Sequence, residues 1–142
     1  MSESLEKANL VRRWMSLACS DLAYARKSLG LGEQFNDKIC FHSQQAAEKA
    51  LKALLIALDV RPPRTHDIRA LVALVSNAFP DLLDALTPVV DLTDYAVEIR
   101  YPDEWYVPKT AETERAIELA HKAIMVVDAR LISMGYCVSR HT

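Results

Sequence analysis

Phe41-His42-Ser43-Gln44-Gln45-Ala46-Ala47-Glu48-Lys49-Ala50-Leu51-Lys52-Ala53-Leu54-Leu55 is the stretch that decides the fold. Apolar positions recur in it at three- and four-residue steps, the period of an α-helix with one buried face. Ala46, Ala47, Ala50, Ala53 and Ala57 raise helix propensity and let another helix approach closely. The pattern predicts a helix from about Asp37 to Leu58, with Asn36 as N-cap. Its expected buried stripe is Cys40, Ala47, Ala50, Leu51, Leu54 and Leu58. Polar residues interrupt the opening turns: His42, Gln45 and Lys49 fall on one line, Gln44 and Glu48 on another. Two such lines either hydrogen-bond a ligand or partner or form a solvated face. Glu48 and Lys52 stand in the favourable i,i+4 order, worth about 0.3 kcal/mol on an exposed face.

The same period continues on both sides. Upstream, a helix is predicted from about Ser4 to Leu29, with Leu10, Trp14, Leu17, Ala18, Leu22 and Ala25 as its stripe. Gly30-Leu31-Gly32 stops it. Downstream, Arg61-Pro62-Pro63-Arg64 is a stiff non-helical loop. Thr65 is the expected N-cap of a third helix, with Asp67 in its first turn and Ile68, Leu71, Val72 and Val75 facing inward to near Asn77. Pro80 opens a fourth, carrying Leu82, Leu83, Leu86, Val89, Val90 and Ala96 toward Ile99, with a kink or break at Pro88. Thr110 opens a fifth, striped by Ala116, Ile117, Ala120, Ala123, Ile124, Val127 and Leu131 and ended by Gly135. The expectation is one all-α domain over residues 1–142, a five-helix antiparallel, up-and-down bundle.

Composition narrows the function. The 142 residues carry a net charge of −2, which excludes a nucleic-acid binder working by bulk charge but not a local basic patch. Three glycines, Gly30, Gly32 and Gly135, allow neither a Walker loop nor a GxGxxG turn. Cys19, Cys40 and Cys137 form no CxxC pair and no zinc spacing, and read as packed, reduced thiols. Reduced thiols and a polar, acidic N-terminus unlike a signal peptide lead to an expected cytoplasmic location. Apolar runs such as Ala53 to Leu58 fall far short of the ~20 residues a membrane helix needs, so no membrane partner is expected. His42, His66, His121 and His141 are scattered, and neither a metal nor a cofactor is expected.

Two further places break the amphipathic routine. Arg61 and Arg64 precede Thr65-His66-Asp67, a helix start whose free N–H groups attract anions. A phosphate site and a solvated loop with a locally bonded His66 are both consistent with that pattern. Tyr95, Glu98, Arg100, Tyr101, Pro102, Asp103, Glu104 and Trp105 gather an arginine, carboxylates and aromatics suited to a phosphate and a nucleobase, or to capping a core or interface.

Taken in order, residues 41–55, Thr65-His66-Asp67-Ile68, Leu92-Thr93-Asp94-Tyr95 and Arg100-Tyr101-Pro102-Asp103 resemble the HEPN family, for "higher eukaryotes and prokaryotes nucleotide-binding". The resemblance spans about Leu17 to Leu131. It implies a five-helix bundle, often a homodimer, commonly paired with a small nucleotidyltransferase and sometimes acting within a toxin–antitoxin pair. It implies a nucleotide or RNA ligand, with His66, Asp67, Arg100, Tyr101, Asp103, Gln45 and Lys49 as ligand-binding candidates. Several branches are metal-independent ribonucleases that use an Arg followed four to six residues later by a His. Arg100 matches the Arg, but Trp105 stands where the His belongs and no residue up to Lys109 is His. Arg61 and His66 have the spacing but lie between the second and third helices, away from the motif's place near the end of the fourth. Arg100 and His66 are therefore the catalytic candidates, and the ribonuclease pattern is not intact.

Overall fold

The computed structural model describes residues 2–96 and 106–137. Five α-helices are present among them: α1 (Ser2–Ser28), α2 (Asn36–Ala57), α3 (Ile68–Ala78), α4 (Leu83–Leu86) and α5 (Thr110–Ser133). No strand occurs among the described residues.

Helix α2 is the axis of the bundle. It packs against α1, α3 and α5 and against the 3-10 stretch Thr87–Tyr95. Most of its residues are buried, because its alanines let neighbours approach from several sides. Leu51, Leu54 and Leu55 are fully buried at its centre. Cys40, Ala47, Ala50, Leu51 and Leu54 lie in the core as the period predicts, with Leu58 partly buried at the end. Leu58 is followed by Asp59 at φ 61, a left-handed turn without glycine whose carboxylate is tied to Lys7 at 3.0 Å. Gly30 and Gly135 take φ of 96 and 95 after α1 and α5, where a Cβ would be strained.

Helix α1 runs antiparallel to α2, with Lys7 near Asp59, Trp14 near Lys52 and Tyr24 near His42. Its seam is Val11, Met15, Ala18, Leu22 and Ala25. This corrects the sequence-based stripe, because Leu10 and Leu17 are exposed. Both fall one position before a seam residue, and one step is about 100° around the helix. Helix α5 is also antiparallel to α1: Arg26 and Leu29 line a groove with Glu114 and Ile117, whereas Cys19 and Leu22 face Ile124 and Met125. Consequently α2 and α5 run side by side in the same direction, with Asn36 bonded to the Pro108 carbonyl and Cys40 to Thr113.

Other local expectations shift. Asn36 is the first residue of α2 and its side chain reaches Pro108, so it ties two helix starts together instead of capping its own. Asp67, not Thr65, caps α3 by accepting from the Arg69 N–H at 2.9 Å, while Thr65 accepts from the Asp67 N–H. The fourth segment breaks near Pro88 as predicted. Only Leu83–Leu86 is α-helical, and Thr87–Tyr95 is 3-10, consistent with the N–H that Pro88 lacks. Leu83, one of the apolar residues this segment carries, is exposed. Cys137 is exposed beyond the end of α5, unlike buried Cys40 and half-buried Cys19. The expected course from 97 to Ile99 lies outside the described residues. No described helix is long and apolar enough to cross a membrane.

Candidate functional site

One narrow ribbon of α2 escapes full burial: Asp37, Lys38, Phe41, His42, Gln45, Lys49 and Ile56. Its polar line is the one that the sequence placed on a single face. The flank of α1 carrying Trp14, Asp21 and Tyr24 borders it, and His66 reaches toward α2 from the loop before α3.

Two carboxylates organise this face. Asp21 bridges helices, with Oδ1 3.0 Å from His42 Nδ1 and Oδ2 accepting from Lys49 Nζ at 2.6 Å. The Tyr24 ring lies on His42, with centroids 4.3 Å apart. Glu48 is only 3% exposed yet meets three donors. Its Oε1 accepts from Gln44 Nε2 at 3.2 Å and faces His66 Nδ1 at 2.9 Å, and its Oε2 accepts from Lys52 Nζ at 3.1 Å. Gln44 also donates to the His66 carbonyl at 2.9 Å and accepts from Gln45 Nε2 at 2.8 Å. Lys52 is itself 8% exposed and lies 6.0 Å from the centre of the Trp14 ring. The Glu48–Lys52 pair is therefore an interior element of a network, not the exposed pair that its spacing suggested.

The network sets the state of His66. A carboxylate accepts but does not donate, so the Glu48 contact places a proton on Nδ1. The side chain is 67% exposed, and Nε2 has no protein partner among the described residues. An imidazole anchored through one nitrogen and open at the other is suited to meet a ligand as hydrogen-bond partner or proton acceptor.

The predicted site residues are thus partly united. His66 and Gln45 are joined through Glu48 and Gln44, while Lys49, on the same line of α2 as Gln45, is held with His42 by Asp21 in a second network. Asp67 is committed to capping α3. Arg61 lines a cleft of about 680 Å³ with Lys7, Leu10, Ile56 and Asp59, a lining that includes none of His66, Gln45 and Lys49. Arg100, Tyr101 and Asp103 lie outside the described residues. On either side of that segment, Tyr95 and Tyr106 both donate to Glu112 Oε2, the latter at 3.1 Å. Burial, then the Glu112 contact, pushes the Tyr95 phenol well above its usual range. Among the described residues no three His, Cys, Asp or Glu side chains gather as a metal site.

Sequence reasoning missed Asp21 and Tyr24. The available signal was an acid and an aromatic three positions apart on the flank of an apolar stripe, in a helix whose other nearby charges are basic. Their meeting with His42 and Lys49 depends on the register between two helices, which no periodicity reports.

An all-α bundle with a nearly buried central helix, a Gln-Gln-Ala-Ala-Glu-Lys run on that helix and a Thr-His-Asp start to the next defines the HEPN-type class of helical domains. The HEPN domain model matches residues 11–130, and the chain belongs to the HEPN domain family. Among solved structures it is similar to TT1696 from Thermus thermophilus, with a TM-score of 0.70 and 33% identity, covering 87% of this chain and 99% of that one. No curated protein matches the chain.

Proposed function

We propose that the protein is a nucleotide- or RNA-associated binding module whose ligand face is the α2 ribbon together with His66. The observation that carries this reading is the His66 imidazole, held through Nδ1 by buried Glu48 while its side chain is mostly exposed. Lys49 supplies a cation for phosphate and Gln45 an amide for a base or sugar, both pre-positioned by hydrogen bonds to protein. Arg100, Tyr101 and Asp103, in the Arg-Tyr-Pro-Asp element that resembles the family's, are part of the proposal as phosphate clamp, base platform and arginine-orienting acid. A small nucleotidyltransferase is the proposed protein partner on the same ground.

Calorimetry with ATP, GTP and short single-stranded RNA tests the binding reading. Saturable heat with one of them, lost in Arg100→Ala and weakened about tenfold in His66→Ala, is the expected result. Absence of heat with all three overturns it. A metal-independent ribonuclease within a toxin–antitoxin pair is the second reading, favoured by the same anchored imidazole, which has the geometry of a general base. RNA cleavage in a chelator, abolished by His66→Ala, supports it, and intact RNA dismisses it.

A further inference from the structure

Helices α1 and α5 both lie on α2 and touch each other little, which leaves a groove between them. Two cavities of about 260 and 270 Å³ occupy this groove, and Arg26 and His121 line both. In the first cavity the walls are apolar. Leu22 and Ile124, 5% and 6% exposed, form its floor, with Cys19 and Met125 beside them. Burial, then the Asp128 charge, holds the Cys19 thiol above its usual range, so it stays neutral there. Lys27 joins Arg26 and His121 at the polar end, and no carboxylate lines this cavity. In the second cavity Glu114 and Glu118 enter the lining. Along its length the groove is thus apolar, then basic, then acidic.

The side chains of Arg26, Lys27 and His121 make no ion pair or hydrogen bond among the described residues. The α1 dipole accounts for Arg26 and Lys27 in its last turn. It does not account for His121, which reaches the same point from α5, nor for an acid-free apolar cavity beside all three. We infer that this groove binds a small organic monocarboxylate, its tail on Leu22 and Ile124 and its head among Arg26, Lys27 and His121. An arginine without an acidic partner offers a carboxylate two parallel N–H donors. The buried floor gives an alkyl or aryl tail a dry surface to cover. Cys19 and Arg26 are two turns apart, about 10 Å along α1, which matches an extended octanoate. Glu114 and Glu118 lie past the head and repel a second negative charge, so the tail points toward Cys19 and polyanions are disfavoured. The lining of the first cavity includes neither His66 nor any residue of the α2 ribbon, so the inference stands apart from the nucleotide reading.

Methionine-methyl nuclear magnetic resonance of the full chain tests it, with sodium octanoate as the probe. Met125 stands at the groove, 53% exposed, whereas Met15 is 1% exposed in the core. Met125→Leu assigns the groove signal. Octanoate is expected to shift the Met125 methyl saturably in the micromolar to millimolar range and to leave Met15 unmoved. Octylammonium, with the same tail and the opposite charge, is expected to give no saturable shift. Arg26→Glu is expected to weaken octanoate at least tenfold, and His121→Glu to do the same. Both positions are exposed, so circular dichroism of each variant should stay native. Absence of a Met125 shift up to millimolar octanoate overturns the inference. An equal response to octylammonium overturns it too, as does an affinity unchanged in Arg26→Glu. A Met125 shift that ATP produces at lower concentration than octanoate overturns the monocarboxylate assignment.

Discussion

Glu48→Ala would remove the acceptor at the centre of the interior network. Glu48 and Lys52 are 3% and 8% exposed, so the substitution leaves the Lys52 ammonium buried with little water to replace its partner. Gln44 and His66 lose an acceptor at the same time, at 3.2 and 2.9 Å. Breaking a buried pair from one side costs about 3–5 kcal/mol. Lys52 keeps the Trp14 ring at 6.0 Å, which favours the lower end. For a domain of this size the loss corresponds to a melting temperature lower by roughly 10–15 °C. The assay is thermal and urea unfolding followed by far-ultraviolet circular dichroism. The decisive comparison is Glu48→Leu combined with Lys52→Met, which removes both charges and keeps volume. The double variant is expected to recover at least half of the loss, because the cost lies in the stranded charge and not in the missing bond. A loss below about 1 kcal/mol for Glu48→Ala, or a double variant no better than the single one, would refute the interior-network argument.

Three further outcomes follow from other parts of the bundle. Leu54→Ala is expected to cost about 2–5 kcal/mol in urea unfolding, against less than about 0.5 kcal/mol for Leu83→Ala, since only Leu54 is fully buried. Asn36→Ala is expected to cost about 1–3 kcal/mol, because the Pro108 carbonyl, 2.8 Å from the Asn36 amide, loses its donor in a buried setting. Burial, opposed in part by the Thr113 hydroxyl, pushes the Cys40 thiol up to about 11 from an ordinary value of 9.0. The folded state therefore favours the neutral thiol. That contribution is intact below pH 9 and is lost as pH rises from 9 toward 11, so stability falls in that window and Cys40→Ala flattens the fall.

Much of the bundle was legible because helix-making is local. The alanine-rich run from Ala46 to Ala57, the stop at Gly30 and the break at Pro88 each follow from propensity or covalent geometry within a few residues. Leu10 and Leu17 were misassigned because α1 carries two apolar rows about 100° apart, and periodicity alone does not say which one meets α2. The Glu48–Lys52 spacing was visible, but its burial was not: i,i+4 order is the same on a wet face and a dry one. Asn36 and Asp67 were recognised as capping types, yet which atoms each reaches depends on the neighbouring chain at Pro108 and on the turn at Thr65.

By itself, then, the sequence determined five helical segments, their order, the amphipathic faces of most, and membership of the HEPN family through the quoted motifs. The tertiary structure alone decided that Asp21, His42 and Lys49 meet, that Glu48 is interior, and that His66 is anchored to it through Nδ1. The reason is one of range. Helix formation and capping are set within a turn or two of the chain. A constellation drawn from α1, α2 and the loop before α3 exists only once packing has fixed the rotation and register of each element.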